Sequence, residues 1–232
     1  MWGRRSRLPS SFVFAALVLH AQDLHSLRSP DRNVEFRLFV TQDKQAIVPG
    51  IAYSVFYKGK PLLETSYMAF DLYDQEPLLG EKAGLMNWTS SPGVLIAHYM
   101  QDGSIGRRID VEVRAWDDGV AFRYVIPRTT PVEDLQMVSE LTEFAMPVKV
   151  ESAVQVPFTQ EIPGVGWVWI GEKGTAGSYP EMSLEREDDP KVLTTHFRKL
   201  WQSVTPLTTP WRVIGIGDSA ERAATSADSF RP

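Results

Sequence analysis

From Val111 to Ile126 apolar and polar residues alternate twice, on either side of Asp117-Asp118-Gly119. Val111, Val113 and Ala115 share one face while Glu112 and Arg114 share the other; beyond the turn, Val120, Phe122, Tyr124 and Ile126 fall together. Alternation on both sides of an Asp-Gly turn predicts a β-hairpin, because successive side chains of a strand point to opposite faces. The pattern recurs. Val34 to Val40 alternates, Ile51 to Tyr57 follows a Pro49-Gly50 turn, and Lys58-Gly59-Lys60 leads into Pro61 to Glu64 and Tyr67 to Tyr73. Further strands are predicted over Gly93 to Met100, Gly106 to Trp116, Val120 to Ile126, Ser139 to Phe144 and Val148 to Val156. Gly166 to Gly171, Leu193 to Trp201 and Trp211 to Ile216 complete the set. Many short strands punctuated by turn residues predict an all-β, antiparallel sandwich or barrel and exclude a βαβ fold.

Two stretches break the rhythm. Asp74 to Pro92 is polar with little periodicity and is expected to form a long excursion between strands. Glu181 to Lys191 is a charged run, expected as a solvated turn. One helix is predicted at the end, capped by Asp218 with Glu221 three residues on, followed by an alanine-rich segment.

Composition narrows the chemistry. The chain of 232 residues carries a formal net charge of −5, with no Lys/Arg stripe beyond its first residues, so nucleic-acid binding lacks electrostatic support. It has no cysteine, which excludes disulfides and thiolate metal sites. The four histidines, His20, His25, His98 and His196, lack zinc-ligand spacing. There is no Gly-x-Ser-x-Gly nucleophile elbow and no phosphate-binding Walker motif. Carboxylates remain, but Glu140 and Glu143 lie three apart and would point to opposite faces of a strand, so they cannot form a facing acid/base pair. Each acidic residue is expected to be a solvated surface charge. Trp167 and Trp169 share one strand face and are expected in the core, in preference to a sugar-stacking platform.

The first residues read as an address. Arg4, Arg5 and Arg7 precede the apolar run Phe12 to Leu19, and cleavage after Ala21 would complete a signal peptide over residues 1–21. That run is too short to span a bilayer as a helix, and no later stretch reaches that length. The chain is therefore expected to be exported, periplasmic or secreted, with no transmembrane span.

Several segments taken in order resemble the N-terminal domain of glycoside hydrolase family 97, a family of α-glucosidases and α-galactosidases. They are SPDRNVEFRL (Ser29 to Leu38), YSVFYKGKPLLE (Tyr53 to Glu64), WDDGVAFRYVIP (Trp116 to Pro127), ELTEF (Glu140 to Phe144) and TPLTTPWRVIGIGDSAE (Thr205 to Glu221). The resemblance implies an antiparallel β-super-sandwich over residues 22–217, similar to galactose mutarotase-like domains. Residues 218–232 would then begin a helix or linker toward a catalytic (β/α)8 barrel.

The resemblance also implies one site residue. Calcium-dependent members hold Ca²⁺ with a glutamate at a strand end written roughly Ile-Thr-Glu-Ala, shortly before a Tyr-Pro-Gly-Met element. Here Ile170-Gly171-Glu172-Lys173 precedes Tyr179-Pro180-Glu181-Met182, which makes Glu172 the matching metal ligand. The intervening segment is glycine-rich and about a residue longer, and Glu181 replaces the glycine. In the family the catalytic acid and base lie on the barrel, so this chain is expected to be catalytically silent alone. It would instead be a fragment or truncated form that walls a pocket for α-linked glucosides or galactosides. Two other readings remain: a free-standing carbohydrate-binding protein using a concave face with Trp and Tyr, and a mutarotase-like enzyme needing His98 or His196 paired with a carboxylate on one face.

Overall fold

The computed structural model describes residues 24–41, 49–132, 134–150, 154–174 and 177–232. In chain order the strands are β1 (His25–Arg28), β2 (Val34–Thr41), β3 (Gly50–Tyr57), β4 (Lys60–Leu72), β5 (Leu79–Ser91), β6 (Val94–Gln101), β7 (Arg108–Trp116) and β8 (Gly119–Ile126). They continue as β9 (Asp134–Ala145), β10 (Phe158–Ile162), β11 (Gly166–Lys173), β12 (Ser183–Arg186), β13 (Val192–His196), β14 (Trp201–Val204), β15 (Leu207–Thr208) and β16 (Trp211–Gly217). A single helix, α1 (Ala220–Ser229), follows.

The strands pair antiparallel in two layers. One runs β2-β3-β4-β9-β13-β12, with β1 and β14 at its margins; the other runs β10-β11-β16-β8-β7-β6-β5. The start of β5 touches both, pairing Glu81 with Gly50 and Leu79 with Phe70, and so stitches the layers together. Between them lies one apolar core. Phe36 and Tyr53 from the first layer meet Phe122 of the second at 5.8 and 5.0 Å between ring centres, and Phe70 sits edge-on to Tyr124 at 5.0 Å. The expected all-β antiparallel sandwich with a short C-terminal helix is the fold observed.

The hairpin over Arg108–Ile126 forms with Trp116 opposite Gly119 and Asp117-Asp118 as its loop. Gly119 is needed for a reason of space, since a β-carbon there would fall within the Trp116 ring. Along β9 the alternation changes phase. Asp71 of β4 faces Ser139 and Leu72 faces Met137, so Val138 is a surplus residue, a β-bulge. Leu135 and Met137 point into the core before it; Glu140, Thr142 and Phe144 do so after it.

Helix α1 lies on the outer face of the second layer. Ser219, one residue past the expected Asp218, caps it by accepting from the Arg222 N–H, and Glu221 sits in the positively polarised first turn. Trp211, Val213, Ala121, Ala227 and Phe230 form a second small apolar cluster there, with Trp116 stacked on Phe230 at 5.1 Å. Trp169 packs half-buried against this cluster, which corrects the expectation that Trp167 and Trp169 line the main core: both point away from it.

Other expectations are corrected too. Asp74 to Pro92 is no loop: most of it is β5, whose second half is exposed and therefore carries no apolar alternation. Among the described residues Val148 to Val156 is not a strand, and the unanticipated β10 follows it. Leu193 to Trp201 divides into β13 and β14 with a break between. The charged run does hold an exposed turn, but β12 occupies its first part because Leu184 is buried. The expected signal segment, residues 1–21, lies outside the described residues. No helix among those residues is long and apolar enough to cross a membrane.

Candidate functional site

Strand alternation delivers a cluster of charge between the layers. On β16, Trp211 and Val213 face α1 while Arg212, Ile214 and Ile216 face inward. Register sets Arg212 beside Glu172 on β11. The bulge in β9 turns Glu140 and Thr142 toward the same point, and Tyr179 arrives from the segment after β11.

Arg212 grips two carboxylates. Its Nε and Nη2 donate to the Glu140 oxygens at 2.8 and 2.5 Å, a two-point pairing, and its Nη1 donates to Glu172 Oε2 at 2.6 Å. Glu140 is further satisfied by the Tyr179 hydroxyl at 2.6 Å and the Thr142 hydroxyl at 2.8 Å, while Tyr124 and Thr142 share a 2.6 Å hydrogen bond. The Arg212 and Glu140 side chains are 1% and 0% exposed, whereas Glu172 is 23% exposed. Two carboxylates against one guanidinium leave one negative charge. At the open end of the network, Glu172 Oε1 has no hydrogen-bond partner among the described residues.

The protonation states follow. Burial would raise the Glu140 carboxyl, but the Arg212 charge and the hydrogen bonds from Arg212, Tyr179 and Thr142 outweigh it and hold the group below its ordinary 4.5. Burial would lower Arg212, and Glu140 more than reverses this, so the guanidinium stays charged. Burial pushes the Tyr179 and Tyr124 hydroxyls well up, and both remain neutral donors.

A carboxyl whose value is depressed on folding stabilises fully above its unfolded value, and that contribution is lost as pH falls through the folded value. The Glu140 contribution is therefore present above about pH 4.5 and disappears below it. Glu143 and Asp110 act in the opposite sense, because burial raises both. Thermal melts from about pH 6 to about pH 3 should show stability falling with acid more steeply in the native chain than in Glu140→Gln. Equal slopes would remove Glu140 as the acid-sensitive group.

The structure thus brings Glu172, the residue singled out from sequence, together with Glu140 and Arg212, which were not. Glu140 corrects the expectation that every acidic residue is a solvated charge: the bulge, invisible to period counting, buries it. Arg212 had a signal, a charge in phase with Ile214 and Ile216. Glu143 points to the opposite face, as expected, and accepts from the Tyr67 N–H at 3.1 Å. His98 and His196 do not converge. His98 on β6 pairs with Asp110 at 2.8 Å, and His196 on β13 with Glu187 at 3.2 Å, in different layers. His25 packs on Trp88 with ring centres 4.4 Å apart.

A family model described as Glycosyl-hydrolase 97 N-terminal matches residues 27–154 and 148–227. The chain belongs to this family. Among solved structures, this family-97 N-terminal domain is similar to a glycoside hydrolase family 97 enzyme from Pseudoalteromonas sp. strain K8 in complex with acarbose. Identity is 20% and the TM-score 0.70, over 84% of this chain and 36% of that one. An arginine-to-lysine variant of the family 97 enzyme from that strain matches at 21% identity and TM-score 0.69, with the same coverage. A β-arabinopyranosidase matches at 19% identity and TM-score 0.63, over 85% of this chain and 40% of its own. At these identities the likeness is one of fold. The family-97 N-terminal domain thus spans little more than a third of the enzymes it resembles. Comparison with curated protein sequences gives no match.

Proposed function

We propose that this domain is the non-catalytic N-terminal module of an exported α-glycosidase, periplasmic or secreted. In this reading it packs against a catalytic (β/α)8 barrel, walls a pocket for α-linked glucosides or galactosides and lends one ligand to Ca²⁺. The observation that carries it is Glu172, a partly exposed carboxylate with one oxygen clamped by the buried Arg212 and the other without a hydrogen-bond partner among the described residues. The family membership and the fraction of longer glycosidases that the chain spans support the same reading.

The residues fit calcium as a partial donor set. A hard cation takes roughly six to eight oxygens, and among the described residues no three His, Cys, Asp or Glu side chains converge. Glu172 would supply one share, with the remaining ligands from the barrel and water. Bound there, calcium would supply a fixed positive charge beside the substrate's hydroxyls. Arg212 meanwhile limits the rotation of Glu172, and Glu140 keeps Arg212 from claiming it fully.

Catalysis needs a general acid and a base flanking the glycosidic bond. Glu140 and Glu172 meet only across Arg212, which holds Glu140 ionised and sequestered. The 232-residue chain is expected to release no nitrophenol from nitrophenyl α-glucoside or α-galactoside; clear turnover would overturn the proposal. Amide NMR with calcium chloride should show weak shifts, dissociation constants on the order of millimolar, centred on Glu172 and absent in Glu172→Gln. Shifts that persist in that variant would transfer the calcium role elsewhere.

A further inference from the structure

The outer face of the first layer carries an open pocket of about 490 Å³, on the far side of β3, β4, β9 and β13 from the Arg212 network. Its first wall is a deformation of β4. Tyr53 pairs with Ser66 and Val55 with Leu63, so Ser54 alone faces Glu64 and Thr65; Phe56 then pairs with Pro61, leaving Leu62 as a second surplus residue. Successive bulges thrust Glu64 and Thr65 outward, the kind of departure that re-aims side chains beside binding sites. The opposite wall is the turn before β13. It is pinned from below, since Met146 N–H donates to the Lys191 carbonyl at 2.8 Å and Val150 N–H to that of Pro190 at 2.9 Å. The Asp189 carboxylate accepts from the Lys191 N–H at 2.9 Å. Both walls are thus shaped by the backbone.

The lining is divided. Phe56, Pro61 and Val192 give an apolar floor, with Ala145 and Met146 buried beneath it. Glu64, Thr65 and Asp189 are exposed, and with Lys191 they form a polar rim of two carboxylates, a hydroxyl and an ammonium. The rim's net charge is negative, which disfavours phosphates, sulfates and carboxylates. An apolar floor beneath acceptors and a donor suits a flat, neutral, polyhydroxylated ring, whose C–H face packs below while its hydroxyls bond outward.

We propose that this pocket is a saccharide-binding subsite, sized for roughly one or two neutral pyranose rings. It uses residues of this chain alone, and it stands whether or not Glu172 ever meets calcium. Carboxylates such as Glu64 and Asp189 accept from adjacent hydroxyls, and Lys191 donates to a ring or hydroxyl oxygen.

The test is amide NMR of the 232-residue chain titrated with maltose and, separately, melibiose to about 50 mM. Shifts centred on residues 63–66 and 189–192 are expected. Glu64→Gln and Lys191→Met, both changes at the rim, should each weaken binding about fivefold or more without moving the thermal midpoint. Absence of shifts with both sugars overturns the proposal, as do shifts confined to other residues. Shifts of the same amides with calcium chloride and with neither sugar would assign the pocket to a cation and equally overturn it.

Discussion

Arg212→Met is expected to lower the unfolding free energy by about 3–5 kcal/mol, the usual result of removing one partner of a buried ion pair. The loss does not measure the attraction between Arg212 and Glu140. It arises because Glu140, fully buried, would keep only the Tyr179 and Thr142 hydroxyls and must either stay charged in an apolar core or take up a proton. The double change Glu140→Leu with Arg212→Met should recover part of the loss, since it removes both charges but leaves the Tyr179 and Thr142 hydroxyls without their acceptor. Arg212→Lys should not rescue. An ammonium is a point charge and cannot hold Glu140 at two points while reaching Glu172. Urea unfolding followed by circular dichroism measures all three variants. A loss under about 1 kcal/mol for Arg212→Met, as for an exposed pair, would mean the network contributes little to the fold.

Gly215→Val should dislodge α1. A β-carbon at this position would overlap the Ala223 carbonyl oxygen and lie 2.9 Å from the Ala227 β-carbon, so the helix backbone must move. The cluster of Trp211, Phe230 and Ala227 would then open to solvent. The expected destabilisation is about 2–4 kcal/mol, and it should be local. Hydrogen exchange should show lost protection over Ala223 to Phe230, with β2, β3, β4 and β9 unchanged. Gly84→Ala is the control, because a β-carbon there meets only Asp102 Oδ1 at 3.6 Å; it should shift stability by less than about 0.5 kcal/mol. Intact protection of α1 in Gly215→Val would show that the helix has another way to dock.

These two sites differ in how visible they were beforehand. Strands with one dry face declare themselves, so Val34 to Thr41, Val94 to Gln101 and the hairpin over Arg108–Ile126 follow from alternation alone. β5 escapes because Met86 to Ser91 is largely exposed and nothing selects a pattern there. At Val148 to Val156 the alternation is real, yet Pro147 and Pro157 flank it and the described part forms no ladder. Glu172 became visible through the family's wording and not through any physical signal. Arg212 could have been found, since a cation in phase with Ile214 and Ile216 must be buried and must have a partner. That partner could not. Glu140 and Glu143 are equivalent by composition, and which is buried depends on a surplus residue whose presence only the pairing with β4 reveals.

Val138 carries no charge and is exposed, yet its bulging out of the ladder is what keeps count. Taken into the ladder instead, it would put the segment from Ser139 to Phe144 out of step by one, and the dry and wet sides of β9 would exchange occupants. Ser139 would then stand opposite Phe70 in place of Glu140, and Glu140 and Phe144 would point at water. The anionic grip on Arg212 is thus encoded in arithmetic along the chain as much as in the choice of side chain.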